Sequence, residues 1–309
     1  MTEFAIEIEK LTKIYKKSAK SPTKLALDGV DLKIKKGSFF GLLGPNGAGK
    51  STIINILGGL VKKSAGNIKV CGFDIDVEPL KYKFELGIVP QELIIDPFFN
   101  VRETLEIYAG YFGVRKKNRR TDEIIEALGL KDQVNARPRS LSGGMRRRLL
   151  VAKALVHNPK ILILDEPTAG VDVELRQQLW QYVKKLNGQG TTIVLTTHYL
   201  EEAEELCDEI AVINRGKVIA CDKKRNLMNL LSEKEIMISF DREIDCNLMN
   251  MPRNVNFSQC NKDQISIIYD PKKVEIAQIF TEIAKNNAKI IDISTKQPDL
   301  EEVFRHLVR

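Results

Sequence analysis

Apolar residues in this chain gather in short runs, and the way each run ends limits what it can form. Ser38-Phe39-Phe40-Gly41-Leu42-Leu43 and Ile161-Leu162-Ile163-Leu164 are nearly unbroken apolar segments of strand length. Such runs fit strands buried on both faces of a parallel sheet. Leu86-Gly87-Ile88-Val89-Pro90 and Thr192-Ile193-Val194-Leu195-Thr196-Thr197 read the same way. Thr52 to Leu57, followed by Gly58-Gly59, predicts a helix that stops at the glycines. Leu175, Leu179, Trp180 and Val183 recur at helical spacing and predict a core stripe, and Glu201 to Cys207 predicts an acidic helix that buries Cys207.

Beyond about residue 228 the pattern changes. Ile236–Phe240 and Ile265–Tyr269 alternate in the manner of half-buried strands. Lys272 to Asn286 reads as a helix, Lys289 to Ile293 as a strand and Leu300 to Val308 as a terminal helix. The expected division is therefore a larger α/β domain over 1–228 and a small α+β appendage over 229–309.

The composition, 43% hydrophobic and 29% charged over 309 residues, supplies ample core. No apolar run approaches the ~20 residues that cross a bilayer, and the opening MTEFAIEIEKLTK is acidic and amphipathic, unlike a secretory signal. Five cysteines without a C-x-x-C pair, beside three histidines, argue against a zinc site and for free thiols in a reducing compartment. The net charge of +7 is concentrated: residues 111–150 hold eleven Lys/Arg and four Asp/Glu. A basic patch suits nucleic acid, anionic lipid or plain solvent. No aromatic RNP pattern or zinc finger interleaves the charge, which disfavours nucleic acid.

The candidate chemistry lies at the strand ends. Gly44-Pro45-Asn46-Gly47-Ala48-Gly49-Lys50-Ser51, continued by Thr52, fits G-x-x-x-x-G-K-[ST] between a strand and a helix. Glycines there let backbone N–H groups converge on phosphate, Lys50 reaches the β- and γ-phosphates, and Ser51 serves Mg²⁺. The second run ends in Asp165-Glu166-Pro167, which predicts Asp165 at the Mg²⁺ shell and Glu166 as a base for the attacking water. Gln91 and His198 follow two further strands at the same sheet edge; Gln91 is suited to Mg²⁺ or the attacking water, His198 to phosphate. A second phosphate-type helix start, Arg139-Ser140-Leu141-Ser142-Gly143-Gly144-Met145, lies nearly a hundred residues after the first.

Taken together, the P-loop, Gln91, LSGGM (Leu141–Met145), ILILDEP (Ile161–Pro167), AGVD (Ala169–Asp172) and His198 resemble the ATP-binding subunit of ABC transporters over roughly residues 4–225. Met145 followed by three arginines, the phrase LDEPTAGVD and the tail from Pro298 to Phe304 look like single-domain subunits of the type 2, drug- and polysaccharide-exporting group. The resemblance implies a P-loop NTPase fold of the ABC ATPase type, with a helical subdomain inserted at about 92–160. It implies ATP and Mg²⁺, adenine stacked on Tyr15, and Ser142, Gly143 and Gly144 capping the nucleotide of a second copy in a homodimer. It further implies that Asp172 couples the two sites. A separately encoded integral membrane permease would dock near Gln91–Arg102 and the helical region 103–140. The chain would then work as a peripheral protein on the cytoplasmic face of the membrane. The alternatives are a soluble ABC ATPase switching a non-membrane partner, or a non-catalytic switch; intact Lys50, Asp165, Glu166 and His198 argue against the latter.

Overall fold

The computed structural model describes residues 3–16, 23–168, 173–230, 233–244, 251–285, 288–296 and 299–308, and the side chains of all these except 173–175, 259 and 260. Two compact units emerge, Met1–Lys224 and Arg225–Leu307.

The first unit is built on two sheets. A six-stranded sheet has the order β10-β9-β3-β8-β7-β6. Its strands are β3 (Phe39–Leu43), β6 (Leu86–Val89), β7 (Ile161–Asp165), β8 (Thr192–Thr196), β9 (Glu209–Asn214) and β10 (Lys217–Lys223). All pairings are parallel except β9 with β10. Every residue of β3, β7 and β8 is buried, which is why those runs are apolar without alternation. The second sheet is antiparallel, with the order β2-β1-β4-β5: β1 (Phe4–Tyr15), β2 (Lys24–Lys35), β4 (Ala65–Val70) and β5 (Phe73–Asp74). Ile6, Ile8, Leu32, Ile34, Ile53, Ile56, Ile161 and Ile213 share one core that joins the two sheets through the helix between them.

That helix, α1 (Lys50–Leu57), ends as expected: the Gly58 N–H still bonds Ile54, and Gly59 takes φ +73°. After α2 (Pro79–Phe84) and β6 the chain leaves the sheet for α3 (Val101–Tyr111), α4 (Thr121–Ala127) and α5 (Gly143–Leu155), which touch one another pairwise before β7. Asn100 and Glu103 form a reciprocal capping box on α3, satisfying two of its first N–H groups. In α6 (Val173–Gly188) Leu179, Trp180 and Val183 are buried, whereas the side chain of Leu175 lies outside the described residues. Cys207, just after α7 (Leu200–Leu206), is 1% exposed, and burial pushes its thiol pKa up.

The short helix α8 (Lys224–Met228) opens the second unit, which continues as a four-stranded antiparallel sheet of order β12-β13-β11-β14. Its strands are β11 (Lys234–Phe240), β12 (Val255–Asn261), β13 (Gln264–Tyr269) and β14 (Ile290–Lys296), accompanied by α9 (Ile276–Ala284) and α10 (Leu300–Val308). Ile236, Ile238, Phe240, Ile265 and Ile267 form its core with Ile279 and Ile283 of α9. The helix expected from Lys272 starts four residues later. Asp270 takes the Lys272 N–H on its carboxylate and the Lys273 and Val274 N–H groups on its carbonyl. That local turn competes with helix, as aspartate does when it satisfies nearby backbone donors.

Candidate functional site

β3 runs into the loop Gly44–Gly49, and α1 begins directly after it. A Cβ at Gly44 would stand 2.3 Å from the Ile213 carbonyl oxygen, so the loop starts flush against β9. Gly49 holds φ +120° and caps α1, a conformation that L side chains rarely adopt. Ala48 is buried; its N–H donates to the Pro45 carbonyl at 3.1 Å and its carbonyl accepts from Gly216 at 2.8 Å, which braces the loop from behind. The Lys50 amine donates to the carbonyls of Gly44 at 2.6 Å and Pro45 at 3.2 Å. Burial lowers its pKa, against the pull of Glu166 and Asp165.

Asp165 closes β7 and is buried. Burial raises its pKa, and the Thr196 hydroxyl, donating to Oδ1 at 2.5 Å, opposes that. Glu166 departs from the strand with φ +46°, unusual for a residue with a side chain. Its N–H donates to both the carbonyl (3.0 Å) and the hydroxyl (3.2 Å) of Thr196, which holds the turn. The reversal sends the carboxylate to the sheet edge. There Oε2 accepts from Gln91 Nε2 at 2.8 Å and lies 3.3 Å from His198 Nδ1.

A cleft of about 550 Å³ gathers Asn46, Gly47, Gly49, Lys50, Ser51, Thr52, Gln91, Glu166 and His198, with Tyr15, Lys24 and Ala26 at its far side. Tyr15 reaches it from the end of β1, where it pairs with Lys24, and the Lys13 amine sits 4.7 Å from its ring centroid. Ser142, Gly143 and Gly144 are not among the residues lining this cleft. Ser142 caps α5, its hydroxyl accepting from the Met145 N–H at 3.2 Å. A Cβ at Gly143 would meet nothing within 4 Å, so packing within this chain gives no reason for glycine there. Asp172, with Ala169 to Val171, lies outside the described residues.

The Ser51 hydroxyl, the Asp165 carboxylate and the Gln91 amide oxygen are hard oxygen donors of the kind Mg²⁺ prefers. Gln91 donates its amide nitrogen to Glu166, which leaves its amide oxygen as the atom able to accept or to ligate.

Two residues escaped the sequence reading. Thr196 was seen only as part of a strand, yet a hydroxyl at the end of a buried strand must find a partner, and it ties Asp165 to Glu166. Arg147, the middle one of the three arginines after Met145, is 4% exposed and donates to the Pro90 carbonyl at 2.7 Å and the Gln91 carbonyl at 2.9 Å. Other cations of the basic stretch are also engaged internally: Arg119 pairs with Glu106, Arg120 with Glu123, and Arg148 bonds the Leu128 carbonyl and Gln178. Arg115, Lys116 and Lys117 remain exposed.

A strand–loop–helix phosphate cradle after β3, with two carboxylates at the end of β7 two strands away in the same parallel run, is the arrangement of a P-loop ATPase. The ABC transporter family profile matches residues 27–169. The chain is 34% identical to the linearmycin resistance ATP-binding protein of Bacillus subtilis over 309 residues, covering 98% of this chain and 97% of that one. It is 41% identical to the Nod factor export ATP-binding protein I of Cupriavidus pinatubonensis, over 72% of this chain and 69% of that one. A dimeric ATP-binding cassette in a post-hydrolysis state, bound to ADP and Pi, superposes with a TM-score of 0.63 at 30% identity, covering 71% of this chain and 98% of that one. The chain belongs to the ABC transporter family, as an ATP-binding and ATP-hydrolysing subunit.

Proposed function

We propose that this chain powers a membrane exporter by forming an ATP-driven homodimer. The observation that carries the reading is the separation of two phosphate-type helix starts. One lines the cleft with Lys50; the other, headed by Ser142, opens elsewhere on an unobstructed glycine. Two copies arranged head to tail would let each Ser142–Gly144 cap the nucleotide held by the other's Gly44–Thr52 loop, with Tyr15 against the adenine and Asp172 coupling the sites. The dimeric cassette similar to this chain supports a two-copy assembly.

Within one composite site, Lys50 and the N-terminus of α1 neutralise the β- and γ-phosphates. Ser51, Asp165 and Gln91 would hold Mg²⁺, which when bound supplies charge neutralisation on those phosphates. Glu166 accepts a proton from water as the water oxygen attacks the γ-phosphorus and the bond to the β–γ bridging oxygen breaks. His198 stands beside Glu166 to contact the γ-phosphate and hold the water in line. ATP favours the closed dimer because only that state supplies both halves of the cradle; hydrolysis removes the bridging charge and favours opening.

The membrane partner is supported by surface chemistry. No described helix is long and apolar enough to cross a bilayer. Ile94, Phe98 and Tyr111 are 69%, 77% and 77% exposed near Gln91 and along α3, an apolar surface suited to a separate permease on the cytoplasmic side of the membrane. The relatives' names, resistance and export ATP-binding proteins, favour export. The test mixes Ser142→Arg subunits with Lys50→Ala subunits, each inactive alone. Such mixtures retain one intact composite site, and recovered ATPase activity is the expected result; mixtures as inactive as their components would contradict the arrangement.

A further inference from the structure

Helix α5 does more than present Ser142. One turn after its start it carries Arg147 into the interior. The guanidinium sets two nitrogens on two consecutive carbonyls, Pro90 and Gln91, at 2.7 and 2.9 Å. These carbonyls mark the point where the chain leaves β6 for the inserted helices. The side chain of the same Gln91 donates to the Glu166 carboxylate. A fork on adjacent carbonyls fixes both position and orientation of the turn, which a point-charge ammonium does not. Burying a guanidinium is costly, so its partners must be well made. Among the described residues no carboxylate lies within ion-pair distance of Arg147; Asp165 and Glu166 act on it only from farther off, and its hydrogen bonds go to backbone.

We propose that Arg147 is a positioning residue for the ATPase reaction, serving both halves of the composite site. It holds the Gln91 turn against Glu166 in this chain's own cleft, and it anchors the α5 start that caps the partner copy's nucleotide. The proposal rests on the head-to-tail reading above and extends it: one buried side chain joins the two faces that a subunit shows to two different nucleotides.

The experiment uses full-length heterodimers with one competent site, made from Ser142→Arg and Lys50→Ala subunits carrying different tags. Arg147→Lys, which keeps the charge and loses the fork, is introduced into either subunit in turn. In the Ser142→Arg subunit it perturbs the Gln91 and Glu166 used by the live site; in the Lys50→Ala subunit it perturbs only the Ser142 end. Both placements are expected to lower kcat about tenfold, the scale of a lost charge-assisted hydrogen bond. Binding of a fluorescent ATP analogue without Mg²⁺ to the isolated Arg147→Lys protein, and its melting temperature, should stay near wild-type values, because the Arg147 hydrogen bonds go to Pro90 and Gln91 and none reaches the Gly44–Thr52 loop. Should Arg147→Lys melt early, Arg147→Gln, with one donor for one carbonyl, takes its place. A loss in only one placement, or in neither, would overturn the proposal. Silence of the parent mixture with Arg147 intact would overturn the head-to-tail reading, and this proposal with it.

Discussion

Glu166 sits in a backbone conformation that its neighbours enforce. A left-handed residue with a side chain costs about 1–2 kcal/mol, and here it precedes a proline, which already restricts it. Thr196 offsets that cost by receiving the Glu166 N–H and donating to Asp165 in the same place. Replacing Thr196 by valine keeps the shape of the strand end and leaves a buried carboxylate oxygen without this donor. Such losses run to about 1–3 kcal/mol, and urea unfolding of Thr196→Val should show a loss of that size; an unchanged midpoint would remove Thr196 from this role. The aspartate–glutamate pair was visible in the sequence because both are charges at the end of an apolar run. Thr196 was not, because a threonine inside a strand is ordinary and only the distance to a second strand gives it a task. Arg147 was hidden for the opposite reason, standing among three arginines whose separate fates depend on helix rotation.

At the scale of elements, the buried parallel strands were legible because burial on both faces removes polar residues from β3, and from β7 up to its closing Asp165. The antiparallel strands β1 and β2 were not. Their pairing shifts register between Ile8 and Leu11 and again near Lys13, and each shift moves the apolar set to the other face and breaks the alternation. The end of α5 carries a feature that only packing reveals. His157 stacks on Phe112 with ring centroids 3.7 Å apart and donates Nε2–H to the Leu86 carbonyl at 3.2 Å. Its Nδ1 is buried without a hydrogen-bond partner. Burial is the first cause holding its pKa below the ordinary value. Below about pH 6.5 the unfolded chain binds a proton at this residue that the folded chain resists, so stability falls as pH drops through that value toward the lowered folded pKa. Thermal melts at pH 7.5 and 5.5 should therefore differ less for His157→Gln than for the wild type. An equal difference in both would show that His157 is not the group responsible.

Across the whole molecule, a single chain carries one strand–loop–helix cradle and, apart from it, a second helix start that we propose caps the nucleotide of another copy. Lys50, Ser51, Gln91, Glu166, His198 and Tyr15 surround one cleft, and Ser142 heads a helix outside it. Sequence order alone hints at this, since the two phosphate-type motifs are far apart in the chain, but only the fold separates them in space. The second unit adds a sheet packed with α9 around its own core, with none of these cleft residues in it. The proposed work of the subunit therefore depends on a second copy arriving with its own Ser142. The Glu166→Gln protein, with turnover lowered about 10²–10⁴-fold as for loss of a general base, isolates that event. Light scattering coupled to size exclusion, run with and without saturating MgATP, should find this variant as a dimer with nucleotide and a monomer without it; a monomer in both conditions would contradict the shared nucleotide site.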